Sequence, residues 1–367
     1  MNSRAERELK AFIGSIEPAD KAAIERAKRR QAELAKPIGS LGKLESIAVK
    51  LAGITGRVNN AVNACRVLVF AADNGVVDEG VAITPRSVTL AQSINMTRHI
   101  TGMSSIAAYF GDSVRVFDVG IDTEGEFEGV VARRIRRGTA NIRRGPAMTR
   151  EEALRAIFVG IEAVEQAKAD GVDIVGVGEM GIGNTTTSAA VLACLLGAPA
   201  SAVAGRGGGL TDAAFENKIR VIDDALKLNN PDPEDAIDIV SKVGGLDIAA
   251  MSGAFLACAK YRIPAVVDGF ISIVAALIAL RLAPYAREYI FLSHSSAEKG
   301  YRLAVEAFGE EPYLLLDMRL GEGSGCPIAF RVIQAACAAM NGMATFEQAH
   351  IDDGYLDELR RKNGDLT

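Results

Sequence analysis

Two spacing patterns divide the chain. Through the first sixty residues, charged positions interleave with apolar ones at helical spacing. Pro18 and Asp20 open one predicted helix, which runs to Lys36 and stops at Pro37. A second starts after Gly42 and carries Leu44, Ile47, Leu51 and Ile54 on one face. Beyond that point, short apolar or β-branched runs predict strands at 66–70, 114–117, 173–177, 265–267, 289–292 and 313–316. Alanine-rich helical segments such as 249–261 and 271–282 lie between them, and the tail after Pro327 returns to helix over 328–340 and 345–361. Apolar strands alternating with helices imply parallel pairing through crossover connections, with the sheet covered on both faces.

Each predicted strand ends in a polar, often glycine-bearing loop: 71–80, 118–122, 178–187, 268–272, 293–300 and 317–325. Open parallel sheets bind ligands outside the carboxyl ends of their strands. Polar groups delivered repeatedly to that edge therefore predict an active site there, in preference to ordinary turn chemistry. Glycine is also abundant, at 37 of 367 residues, and much of it clusters in these loops.

Gly176, Gly178 and Gly181 have dinucleotide-fingerprint spacing. That reading needs an acidic residue about twenty positions on to hold ribose hydroxyls, and no Asp or Glu occurs from Gly181 to Thr211. An alternative is that Asn184–Thr186 opens a helix whose free N–H groups and hydroxyls suit a phosphate or carboxylate; a plain helix start is the other. The run Gly205–Gly209, with Arg206 among the glycines, lets backbone approach a ligand or serves as a flexible loop; no Walker sequence follows it. Glu322, between Gly321 and Gly323, is a carboxylate at a strand end suited to a general base, and Glu179 is a second.

Composition narrows the remaining choices. A net charge of -5 argues against a nucleic-acid partner, and 5% aromatic residues without Trp offers no stacking platform. The five cysteines form no CxxC pair, and an odd count fits a reducing cytoplasm. His99, His294 and His350 are scattered, so no histidine metal site is expected. The arginines at 133, 134, 136, 137, 143 and 144 could meet an anion, but such a run is more often a solvated surface. The opening MNSRAERELK lacks the apolar core of a signal peptide, and the longest apolar stretch, 270–280, is short of the about 20 residues of a membrane span.

The segments KPIGSLGKLE (36–45), FAADNGVVDEGV (70–81), QSINM (92–96), GEMGIGNTTTSAA (178–190), GRGGGL (205–210), DGFIS (268–272), SHSSAEKG (293–300) and LDMRLGEGSG (316–325) resemble the nicotinate-nucleotide–dimethylbenzimidazole phosphoribosyltransferases of cobalamin nucleotide-loop assembly. The likeness covers about Lys36 to Ala344. It implies an α/β fold with a Rossmann-like domain of six mainly parallel strands over 36–330, a small helical domain from 1–35 with 331–367, and a cytoplasmic homodimer. The implied reaction moves phosphoribose from nicotinate mononucleotide to a benzimidazole, giving the α-ribazole phosphate and nicotinate, with no cofactor or metal.

By the same resemblance Glu322 is the catalytic carboxylate, Glu179 a second carboxylate of the reaction, and Thr84 and Gln92 contact the base. Gly181, Gly207 and Ser295 fall on the nucleotide side, together with Asn184 and Thr185 at the head of the helix. Asn74 departs from the family pattern, where many members carry histidine. Two other readings are an NAD(P)-dependent oxidoreductase, on the glycine spacing, and a noncatalytic homologue that senses a nucleotide through the same loops.

Overall fold

The computed structural model describes residues 3–356. Strands β1 (Cys65–Ala72), β2 (Ser113–Gly120), β3 (Val130–Ala132), β4 (Ile174–Met180), β5 (Ala265–Val267) and β6 (Ile290–Leu292) form one sheet in the order β3-β2-β1-β4-β5-β6. Every pair is parallel. Helices α1 (Arg4–Ile13), α2 (Lys21–Glu33) and α3 (Lys43–Thr55) precede the sheet. Helices α4 (Ser87–Thr97) and α5 (Gly102–Phe110) link β1 to β2, and α6 (Arg150–Ala169) leads from β3 to β4. Between β4 and β5 run α7 (Asn184–Leu196), α8 (Ala200–Val203), α9 (Asp212–Asn229), α10 (Ala236–Val243) and α11 (Leu246–Tyr261). Then α12 (Phe270–Leu282) joins β5 to β6, and α13 (Tyr301–Phe308) and α14 (Gly325–Gly342) follow.

Strands β1 and β4 are apolar along nearly their whole length because helices cover both faces of the sheet. Helix α11 packs on β1, β2 and β4, while α14 packs on β1, β4 and β5. Helices α11 and α12 are apolar all round, as helices enclosed in a core must be. Two glycines set the crossing of α6 on α11: a Cβ on Gly160 would lie 1.8 Å from the Ala250 carbonyl oxygen, and one on Gly253 would lie 1.9 Å from that of Ile157. No helix among the described residues is long and apolar enough to cross a membrane.

Five of the expected strands form, and the sheet is wholly parallel where mainly parallel was expected. The sixth strand is β3, a three-residue edge strand that carries too short an apolar run to register in the pattern. Residues 313–316 make only a single bridge, Leu314 to His294. Leu315 and Leu316 face solvent there, so their apolarity does not report a core strand. The helix expected over 345–361 also fails to form in its described part. Thr345 bridges to Leu34, and the Asp352 carboxylate accepts the Gly354 N–H, turn chemistry that interrupts helix before a 3₁₀ turn at Gly354–Leu356. Residues 357–361 of that segment lie outside the described residues.

The end of α2 meets the segment after α14. The Ala35 N–H donates to the Ala344 carbonyl at 2.9 Å, and Arg30 donates to that of Met343 at 3.0 Å. Helix α14 runs unbroken across 330/331 with Phe330 and Ile333 both buried, which carries the connection from the terminal helices into the sheet.

Candidate active site

Chain order reverses between β1 and β4, the switch point at which open parallel sheets leave a crevice. A cleft of about 260 Å³ lies there. Its walls come from the segment after β1, the turn into α7, the Arg206–Leu210 loop, the ends of β5 and β6, and the Arg319–Glu322 loop. The loops 71–80 and 118–122, expected at the same rim, do not line it; they brace each other, Asp73 accepting the Asp122 N–H at 2.8 Å.

Glu322 is held in a left-handed conformation, φ +64°, between Gly321 at +81° and Gly323 at +91°. Such backbone costs about 1–3 kcal/mol at a non-glycine residue and persists only where surrounding contacts fix it. The glycines around it are spatial requirements: a Cβ on Gly321 would lie 2.5 Å from Glu179 Oε1, and one on Gly178 would lie 2.5 Å from the Glu322 carbonyl oxygen. The Glu322 side chain is 5% exposed at the cleft wall. Its Oε1 accepts from Gln92 Nε2 and its Oε2 from the Met103 N–H, both at 3.4 Å. Asn95 donates to Gln92 Oε1 at 3.0 Å, which turns the amide nitrogen of Gln92 toward the carboxylate.

Glu179 ends β4 beneath this loop. Its Oε1 accepts the Glu322 N–H at 3.3 Å, and its Oε2 accepts from Asn184 Nδ2. The same Asn184 nitrogen donates to Asp247 Oδ2 at 3.2 Å, so one amide bridges two buried carboxylates. Burial, and then the charge of Asp247, pushes Glu179 up to about 8; burial raises Asp247 to about 6. Asn74 lies behind this network, away from the cleft, with its Oδ1 accepting from Thr187 at 3.3 Å. An uncharged amide is thus the residue packed against the paired acids.

Of the residues singled out in the sequence, Thr84, Gln92, Glu179, Gly181, Asn184, Thr185, Gly207 and Glu322 all line the cleft. Thr84 faces the glycine loop, where a Cβ on Gly208 would lie 3.8 Å from its hydroxyl. Ser295 is half-buried off the lining, its N–H donating to Leu314, and its neighbours His294 and Ser296 form the wall instead. Helix α7 follows Gly183 with no side-chain cap; the Asn184 and Thr186 N–H groups donate to the Gly181 and Gly183 carbonyls, so an anion would meet the helix dipole and the remaining donors of the first turn.

Three residues went unassigned in the sequence. Lys218, on α9, is fully buried and donates to Thr185 Oγ1 at 2.9 Å, with Gly207 beside it. Burial lowers it to about 8, an effect that the charge of Glu298 offsets only in part. The sequence did carry a signal: Lys218 occupies the apolar stripe Phe215, Val221, Ile222, Ala225 of an amphipathic helix. The others are Asp247 and Asp268, buried acids in otherwise apolar or small-residue surroundings.

The dinucleotide reading fails on geometry. Gly176 and Gly178 lie inside β4, where they make room for Cys326 and for the Glu322 backbone, instead of forming a phosphate-binding turn. The arginine cluster lies off the cleft, with each member ion-paired: Arg133 to Glu162, Arg134 to Asp118, Arg136 to Glu152, Arg137 to Asp122, and Arg143 and Arg144 to Glu79.

Comparison with known proteins gives a consistent result. A phosphoribosyltransferase family model matches residues 16–351. The chain is 53% identical over 352 residues to a nicotinate-nucleotide–dimethylbenzimidazole phosphoribosyltransferase of Clostridium perfringens, covering 96% of this chain and 98% of the relative. A protein of that name from Geobacter sulfurreducens is 46% identical over 347 residues, covering 94% and 99%. Among solved structures, CobT from Thermus thermophilus superposes with a TM-score of 0.87 at 39% identity, covering 91% of this chain and all of that one. The chain belongs to the nicotinate-nucleotide–dimethylbenzimidazole phosphoribosyltransferase family.

Proposed function

We propose that the protein transfers the phosphoribosyl group of nicotinate mononucleotide to 5,6-dimethylbenzimidazole or a related base, forming α-ribazole 5′-phosphate and nicotinate. The observation that carries this reading is the Glu322 carboxylate at the switch-point cleft, facing Gln92 and fixed by a loop of three consecutive left-handed residues.

The chemistry follows from the charges. The C1′–N bond of the nucleotide breaks with its electron pair returning to the pyridinium nitrogen, so nicotinate leaves as a neutral ring and needs no proton. One imidazole nitrogen of the incoming base forms the new bond to C1′ from the opposite face, which converts a β-linkage to an α-linkage. The proton on the other nitrogen acidifies as the bond forms, and Glu322 takes it, a general-base contribution of about 10²–10⁴-fold. Glu179, buried beside it, supports positive charge developing at the sugar whenever it is ionised. Thr84 and Gln92 border the base, with Val88, Ile182, Leu210 and Leu320 as the apolar walls of its slot. Gly181, Thr185, Gly207 and the uncapped α7 terminus take the phosphate, with Lys218 charged behind them. Asn184 contributes by orienting Glu179, and His294 and Ser296 replace Ser295 at the wall.

In this reading the accompanying helical unit expected at 1–35 with 331–367 is represented by its described residues, 3–35 and 331–356. A homodimer is supported by Leu315 and Leu316, 84% and 47% exposed, which run on from Tyr313 at the edge of an apolar groove between α2 and α3. Five free thiols suit a cytoplasmic enzyme. The test is an acceptor panel of benzimidazoles, adenine and phenols incubated with nicotinate mononucleotide, with products weighed by mass spectrometry. Release of nicotinate with a benzimidazole riboside phosphate is expected. No transfer to any azole would refute the reading.

A further inference from the structure

Asp268 stands at the carboxyl end of β5, 2% exposed, and takes no part in the chemistry above. Its Oδ2 accepts the Gly323 N–H at 3.1 Å and its Oδ1 accepts the Gly325 N–H at 2.7 Å. These amides bracket the start of α14 immediately after Glu322. Hydrogen bonds from amides to a carboxylate are about twice as strong as neutral ones, and a helix N-terminus adds to the attraction. Asp268 is itself fixed, since its N–H donates to Ser272 Oγ at 3.3 Å and its carbonyl accepts from Ser293 Oγ at 2.7 Å. The other ties from outside the loop are longer: Glu179 accepts the Glu322 N–H at 3.3 Å, and the Glu322 carboxylate accepts from Gln92 and from the Met103 N–H at 3.4 Å.

The loop's own bonds, from the Ser324 N–H to the Gly321 carbonyl and from the Cys326 N–H to that of Gly323, both at 3.0 Å, close its turn but do not fix its place against the sheet, and its glycines restrict the backbone least. From this arrangement we infer that Asp268 is a positioning residue for the transfer reaction: its carboxylate clamps the two amides after Glu322 and so aims the Glu322 carboxylate at the acceptor ring. Asp268 also borders the cleft, and its Oδ1 lies 3.8 Å from His294 Nδ1, but both carboxylate oxygens are engaged at shorter range by the loop amides, which directs its action through Glu322. The inference rests on Glu322 being the general base.

The test is a double-mutant cycle between Asp268→Asn and Glu322→Gln, with kcat and the KM for the nucleotide measured on folded protein. The isosteric amide presents a donor to one of the loop amides, which loosens the clamp without emptying the site. Alone, Asp268→Asn is expected to lower kcat by about 10- to 100-fold, the scale of a misplaced catalytic group, with KM changed less than about 3-fold. On the Glu322→Gln background the same change is expected to cost less than about 3-fold, because the base it aims is already gone. A penalty of equal size on both backgrounds overturns the inference while leaving Glu322 as the base. Wild-type turnover in Glu322→Gln alone overturns the base reading, and this inference with it. If Asp268→Asn does not fold, Asp268→Ser, which admits water to the amides, takes its place in the cycle. Failure of both to fold marks Asp268 as a folding residue and overturns the inference.

Discussion

Replacing Lys218 by methionine should make the protein more stable and its nucleotide site weaker. The ammonium is fully buried, its hydrogen-bond partner is Thr185, and burial lowers it from 10.5 to about 8. Such a displacement corresponds to about 3 kcal/mol against the charged form in the empty enzyme. Methionine removes that cost and forfeits one hydrogen bond from a charged donor, worth about 1.5–3 kcal/mol, so a net gain of up to about 1.5 kcal/mol is expected at pH 7. The sign with pH is fixed. The folded-state value is depressed, so the cost is fully present below about 8 and fades as pH rises toward 10.5, where the unfolded lysine also loses its proton. The stability gap between variant and parent should therefore narrow over that window in urea titrations. Nucleotide binding moves the other way. Losing the positive charge behind Thr185 should weaken the hold on the phosphate and raise the dissociation constant by about 10-fold or more, read by calorimetry. A variant that is less stable at pH 7 and binds nicotinate mononucleotide as tightly as the parent would refute the reasoning.

Two further predictions concern the acids and the loop. Glu179 is raised from 4.5 to about 8, so the folded state holds its proton more tightly and the parent loses stability as pH climbs from about 4.5 through 8. Glu179→Gln should accordingly gain stability relative to the parent across that window in denaturant titrations; a pH-independent difference would contradict the assignment. Gly321→Ala brings a Cβ to 2.5 Å from Glu179 Oε1 at a φ of +81°. It should depress kcat by about 100-fold through displacement of Glu322, and unchanged kcat would show that the loop conformation is dispensable.

The sheet was legible because its central strands are buried on both faces and spell continuous apolar runs, as in CRVLVFAA and IVGVGEM. The edge was not. β3 has three residues and one neighbour, whereas the run at 313–316 is apolar on its solvent side, and a pattern of hydrophobicity cannot tell a core face from an exposed one. Glu322 and Glu179 were visible as acids among glycines, yet their mutual contact depends on Gly178 and Gly321 giving up side-chain volume from two distant segments. Lys218 and Asp268 were missed for a related reason. One is a lysine whose place in the apolar stripe of its helix is the single cue, and the other reads as an ordinary strand-end aspartate until its burial is known.

The most direct test of Glu322 as the proton acceptor is pre-steady-state and steady-state turnover of Glu322→Gln with nicotinate mononucleotide and 5,6-dimethylbenzimidazole, alongside calorimetric affinities for each. The account predicts both affinities within about 3-fold of the parent and a turnover lower by about 10²–10⁴-fold. Turnover equal to that of the parent, with the same product, would contradict it.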